Sequence, residues 1–150
     1  MSGLESLYQE LILDHSKRPH GKGLAAEEGR TATSYQRNPI CGDEITLRVR
    51  LSDDGTTVDE VTWDGAGCSI SQASASMLAA LVEEEERMPR AEASALIEGF
   101  REALRSRGAI PLDEEVFGDA AALSGVSKFT ARVKCAMLAW VAFEDAAARA

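Results

Sequence analysis

Glu44-Ile45-Thr46-Leu47-Arg48-Val49-Arg50-Leu51 alternates polar and apolar residues without a break, and Ser52-Asp53-Asp54-Gly55 follows at once. Strict alternation places Ile45, Leu47, Val49 and Leu51 on one face of a strand and the polar residues on the other. Asp-Gly supplies the positive φ of a tight hairpin. The chain is therefore predicted to return as a strand over Val58 to Trp63. Upstream, Thr31 to Arg37 has strand propensity and adds a third strand. These segments predict a three-stranded antiparallel sheet.

Helical periodicity flanks the sheet on both sides. Leu4, Leu7, Tyr8, Leu11 and Ile12 mark a first helix, with Ser2 and Glu5 as a capping box and an end before Pro19. His15 and His20 fall in its polar exit and read as solvated loop histidines. Gly21 to Gly29 reads as loop. A Gly65-Ala66-Gly67 turn leads to Cys68 at a helix start, and Ile70, Ala73, Met77, Leu78 and Leu81 carry that helix to Glu83–Glu86. The four glutamates read as a solvated face, and Pro89 stops the helix. Ala93, Leu96, Ile97, Phe100 and Leu104 are the inward side of a helix over Ala91 to Arg107, closed by Gly108. Pro111 and Gly118 frame a short, partly helical connection. Ser127 to Ala147 is the last helix, carrying Phe129, Val133, Met137, Trp140 and Val141. The predicted fold is α+β: one domain over residues 1–150, two layers, helices packed on one sheet face.

Composition narrows the function. A net charge of −9 and a pI near 4.7 argue against nucleic acid and against anionic membrane. No stretch approaches the roughly 20 apolar residues of a membrane span, and the N-terminus lacks the features of a signal peptide. The expected location is the cytoplasm. Three cysteines make an odd number, awkward for disulfides and ordinary for thiolate ligands in a reducing compartment.

Those cysteines hold the chemistry. Asn38-Pro39-Ile40-Cys41-Gly42-Asp43 sets a thiol and a carboxylate two residues apart, on one face of an extended segment. Cys68 stands where a helix N-terminus offers unsatisfied N–H groups, and Cys135 lies inside the last helix. Together Cys41, Asp43, Cys68 and Cys135 offer four ligands, enough for a tetrahedral zinc or iron site. Three unrelated buried cysteines fit the same pattern, since free cysteine is among the most buried residues, and the spacing alone does not choose. Cys41, between Pro39 and Gly42, reads as the exposed thiol and the nucleophile. Arg132 and Lys134 are the nearby cations in sequence.

Cys41-Gly42-Asp43, Gly65-Ala66-Gly67-Cys68-Ser69-Ile70-Ser71-Gln72-Ala73-Ser74 and Arg132-Val133-Lys134-Cys135 resemble, in order, the three signature blocks of the IscU/SufU iron–sulfur cluster assembly scaffold family. The likeness runs from the first helix to the last and is closer to the SufU type. Lys134 stands where IscU proteins carry histidine. Phe129 to Lys134 has no counterpart of the Leu-Pro-Pro-Val-Lys segment that recruits an Hsp70 chaperone. The long interval from Cys68 to Cys135 suits a SufU-type insertion, roughly within 105–125. The resemblance implies Zn²⁺ on Cys41, Asp43, Cys68 and Cys135, and sulfur accepted on Cys41 from the persulfide of a PLP-dependent cysteine desulfurase, SufS. It implies that Arg132 steadies the freed Cys41, and that downstream cluster-assembly machinery takes the sulfur. The alternative is a scaffold on which a [2Fe-2S] or [4Fe-4S] cluster forms at the same ligands. A closed site in which zinc is purely structural is a third reading.

Overall fold

The computed structural model describes residues 3–39 and 42–150, with the backbone alone for residues 3–5. In chain order the elements are α1 (Gly3–Lys17), β1 (Arg30–Asn38), β2 (Asp43–Leu51), β3 (Thr57–Ala66), α2 (Ser69–Glu85), β4 (Met88–Pro89), α3 (Arg90–Arg105), α4 (Glu114–Phe117), a 3-10 helix (Gly118–Lys128) and α5 (Thr130–Arg149). The sheet runs β1-β2-β3-β4 and is antiparallel throughout. The three expected strands are present. Met88-Pro89 adds a fourth, pairing with Thr57 and Val58. Two residues carry no periodicity, and a proline suits an edge because it has no N–H to give.

The sheet follows its side-chain pattern. Ile45, Leu47, Val49 and Leu51 are buried, and the polar residues between them are not. The return strand breaks parity: Val58, Val61 and Trp63 all face the core. A register shift at Arg50/Leu51 inserts the extra residue that reconciles them. In the connecting turn Gly55 takes φ +74°. The Asp54 carboxylate accepts from the Ser52 hydroxyl, the Thr56 hydroxyl and the Thr56 N–H. These donors, Ser52 foremost, hold its pKa down to about 2.

On the core face α5 lies across β1 and β2, while α2 packs between β3, α1 and α5. Helix α2 is buried nearly all round, through Ser71, Ala73, Ser74, Ala75, Ser76 and Ala79. Ala136, Ala139 and Ala142 of α5 are fully buried too, and the Ser74 hydroxyl of α2 bonds the Ala136 carbonyl at 2.6 Å, so the two helices lie against each other through small side chains. Helix α3 has the expected inward set of Ala93, Leu96, Ile97, Phe100 and Leu104, and Glu83–Glu86 are exposed as expected. Phe129 departs from its assignment: it precedes α5 and is 55% exposed. The proposed cap residue Ser2 lies outside the described residues.

His15 is not a solvated loop residue. Helix α1 continues to Lys17, and the imidazole is 3% exposed. His20 N–H donates to Ser76 Oγ at 2.8 Å, which leaves the Ser76 proton for His15 Nδ1, 2.7 Å away. His15 Nε2–H then donates to Asp119 Oδ2 at 2.8 Å. The partners lie 61 and 104 residues along the chain, so nothing local signals the burial. His20 remains half-exposed, consistent with its sequence reading. Asp119→Ala is expected to leave a buried N–H unpaired and to cost about 1–3 kcal/mol. Urea unfolding reads this as a lower midpoint at unchanged slope, and an unchanged midpoint would remove the bond from the account.

Candidate metal centre

Asn38 and Asp43 face each other across β1 and β2 and bracket the connection that carries Cys41. Gly42, at φ +71°, donates its N–H to Asn38 O at 2.8 Å and closes that connection. Cys41 itself lies outside the described residues.

Asp43 opens β2 on an inward position and is fully buried. A buried carboxylate needs donors, and it takes one from the start of α2: Cys68 N–H donates to Oδ1 at 2.7 Å. Gly67 makes room for this bond. It sits at φ +144°, and a Cβ there would fall 2.1 Å from Asp43 Oδ1. Gly65 and Ala66, expected as a turn, are the last paired residues of β3. A Cβ on Gly65 would meet Glu44 O at 2.2 Å, so this end of the sheet closes only with glycine there.

Cys68 is the residue before the first turn of α2 and is exposed. Its Sγ lies 3.8 Å from Asp43 Oδ2, the carboxylate oxygen that the Cys68 N–H leaves free. Cys135 comes from α5 and is 2% exposed. Asn38 Nδ2, on a side chain only 5% exposed, points at Cys135 Sγ from 3.8 Å. One ligand atom each from Asp43, Cys68 and Cys135 lies within 4.8 Å of the other two. Tetrahedral zinc with bonds of about 2.3 Å separates its sulfurs by roughly 3.8 Å. Two soft thiolates and one carboxylate at this separation therefore fit zinc or iron, with one coordination position left over.

The two candidate cations, Arg132 and Lys134, are carried on α5. Arg132 is exposed, and its guanidinium lies over the Phe129 ring at 5.3 Å. It has no ion-pair partner among the described residues. It lines a groove of about 540 Å³ with Tyr8, Ile12, Ile70 and Val126. Lys134 is exposed beside Cys135 in sequence. Two residues of the site carried no signal of their own. Asn38 is a polar residue at a strand end, indistinguishable from a solvated one without α5, and Gly67 shows its need only once Asp43 is placed. The neighbouring edge of β3 is covered too. Trp63 N–H donates to Gly21 O at 2.9 Å, and Gly23 N–H to Trp63 O at 2.7 Å, so the Gly21–Gly23 segment runs beside Trp63.

Fold and donor set define an α+β domain with a thiolate–carboxylate site at one end of its sheet. Residues 7–136 match the NifU-like N terminal domain, and the chain belongs to that family. It is 36% identical over 148 residues to the zinc-dependent sulfurtransferase SufU of Bacillus subtilis, covering 99% of this chain and 94% of that one. It is 38% identical over 149 residues to the iron–sulfur cluster assembly scaffold protein IscU of Streptococcus pyogenes, covering 99% and 87%. The crystal structure of a NifU-like protein N-terminal domain from Brucella abortus shares the fold, with a TM-score of 0.80 at 22% identity, covering 99% and 96%. The chain is thus an iron–sulfur cluster assembly protein of the SufU/IscU kind. No helix among the described residues is long and apolar enough to cross a membrane.

Proposed function

We propose that this chain is a zinc-dependent sulfurtransferase that accepts persulfide sulfur on Cys41 from the PLP-dependent cysteine desulfurase SufS, and passes it to cluster assembly in the cytoplasm. The convergence of Asp43, Cys68 and Cys135 within 4.8 Å carries the reading. Cys41 stands two residues before Asp43 in the chain and is assigned the remaining position. The zinc-dependent relative, Lys134 in place of histidine, and a SufU-type insertion roughly within 105–125 support a sulfur acceptor.

Bound zinc would hold the sulfurs as thiolates and tolerate exchange of one ligand. The protein's own residues do the rest. Asp43 presents one oxygen because Cys68 N–H occupies the other. Cys135, buried on α5, stays in place. The Cys41 thiolate attacks the outer sulfur of the desulfurase persulfide. The S–S bond breaks, the desulfurase cysteine leaves as thiolate, and a persulfide remains on Cys41, with no net change of oxidation state. Arg132, exposed on α5 and without an ion-pair partner among the described residues, is assigned to steady the Cys41 thiolate once released.

Cys41→Ala is expected to abolish stimulation of the desulfurase, to below about a tenth, while the melting curve stays cooperative. Stimulation that persists in this variant removes Cys41 as the acceptor. The likeness to an IscU scaffold favours a second reading, assembly of an iron–sulfur cluster at the same ligands. On that reading the purified protein carries iron and acid-labile sulfide.

A further inference from the structure

Of the two described sulfurs, one is exposed and one buried, and they have different neighbours. Cys68 Sγ faces the Asp43 carboxylate at 3.8 Å and Ser71 Oγ at 4.0 Å. The Ser71 hydroxyl already donates to Cys68 O at 3.0 Å, so its proton is turned away from the sulfur. Cys135 Sγ has an amide donor instead, Asn38 Nδ2 at 3.8 Å. Asn38 is 5% exposed and its backbone is fixed: it pairs with Asp43 across the sheet, and its carbonyl accepts Gly42 N–H. The side chain is thereby held toward α5 by the same pairing that places the carboxylate ligand.

We propose that Asn38 is a positioning residue for the Cys135 sulfur, donating an N–H···S bond that keeps this thiolate on the metal and poorly nucleophilic while another cysteine takes up sulfur. The inference rests on the zinc reading above. A site of three thiolates and one carboxylate on Zn²⁺ is formally dianionic, and a donor aimed at one sulfur withdraws charge from it. Partners of this kind orient ligands and tune the metal they hold. The donor falls on the buried cysteine of the last helix, which is less able than the exposed Cys68 to meet a partner's persulfide.

The test uses the full chain loaded with Co²⁺, whose sulfur-to-cobalt charge-transfer band reports the electron density on the thiolates. Asn38→Ala and Asn38→Leu both delete the donor, and leucine keeps the volume. Both are expected to move the band to lower energy and to weaken zinc binding about 10-fold. A leucine variant that matches the wild type in band and affinity would show that Asn38 merely fills space, and would overturn the inference. A wild-type protein without a sulfur-to-cobalt band would overturn the zinc reading, and the inference with it. That failure is seen in the wild type before any variant is compared.

Discussion

Gly67→Ala is expected to lose the metal centre and a large part of the protein's stability together. Gly67 lies at φ +144°, and a methyl group there would stand 2.1 Å from Asp43 Oδ1 and 2.9 Å from Asp43 Cα. Both obstacles belong to a fully buried residue pinned by strand pairing, so neither yields by a simple rotation. Forcing an L-residue into such backbone costs about 1–3 kcal/mol before any overlap is counted. The only relief is to move Cys68 away from Asp43, which breaks the 2.7 Å bond from Cys68 N–H and separates two ligands. Zinc affinity should fall by more than about 10-fold, the usual loss when ligands are misoriented. The melting temperature should fall by about 2–4 °C for each kcal/mol lost. A Gly67→Ala protein with wild-type zinc affinity would contradict the assigned clamp between Asp43 and Cys68.

Trp140→Ala should have the largest effect on stability. Trp140 is fully buried and stacks on Phe100, with ring centroids 4.0 Å apart and planes 9° from parallel. Its Nε1–H donates to Ser74 Oγ at 3.0 Å, and the Ser74 hydroxyl donates to Ala136 O at 2.6 Å. Ala136 follows Cys135 directly, and Ser74 lies on the helix that Cys68 begins. The indole thus fastens together the two helices that deliver the described sulfurs. Truncation should cost about 3–5 kcal/mol, a large share of the roughly 5–15 kcal/mol a domain has. Trp140→Phe keeps the stack and loses the N–H, and is expected to cost about 1 kcal/mol. Equal unfolding midpoints for Trp140→Ala and wild type would show that the α2–α5 contact is not held by this residue.

The parts of the fold that the sequence reveals are those encoded by short-range periodicity. The alternation of Ile45 to Leu51 and the inward set of α3 needed no partner to be read. The bulge between β2 and β3, the two-residue β4 and the buried His15 depend on contacts between distant segments, and local patterns do not register them. Helix α2 is similar: Ser71, Ser74 and Ser76 look polar in sequence yet are fully buried. Their hydroxyls find partners on α1, α5 or their own helix. In the site, residue type makes Asp43, Cys68 and Cys135 candidate ligands, because thiolates and a carboxylate bind metal wherever they converge. Their spacing fits three unrelated buried cysteines equally well, and the resemblance of the three blocks is what chooses between the two. Asn38 and Gly67 act through geometry, which only the folded chain supplies. Cys41, the proposed nucleophile, lies outside the described residues, so its assignment rests on the resemblance and on its place before Asp43.

Metal and sulfide analysis of protein purified without oxygen, paired with a cysteine desulfurase assay, tests the sulfur-acceptor reading most directly. The expected result is about one tightly bound zinc per chain, no acid-labile sulfide, and a desulfurase that turns over faster when this protein is added. Iron with acid-labile sulfide at the cysteines, and no dependence of activity on zinc, would contradict it and identify the protein as a scaffold.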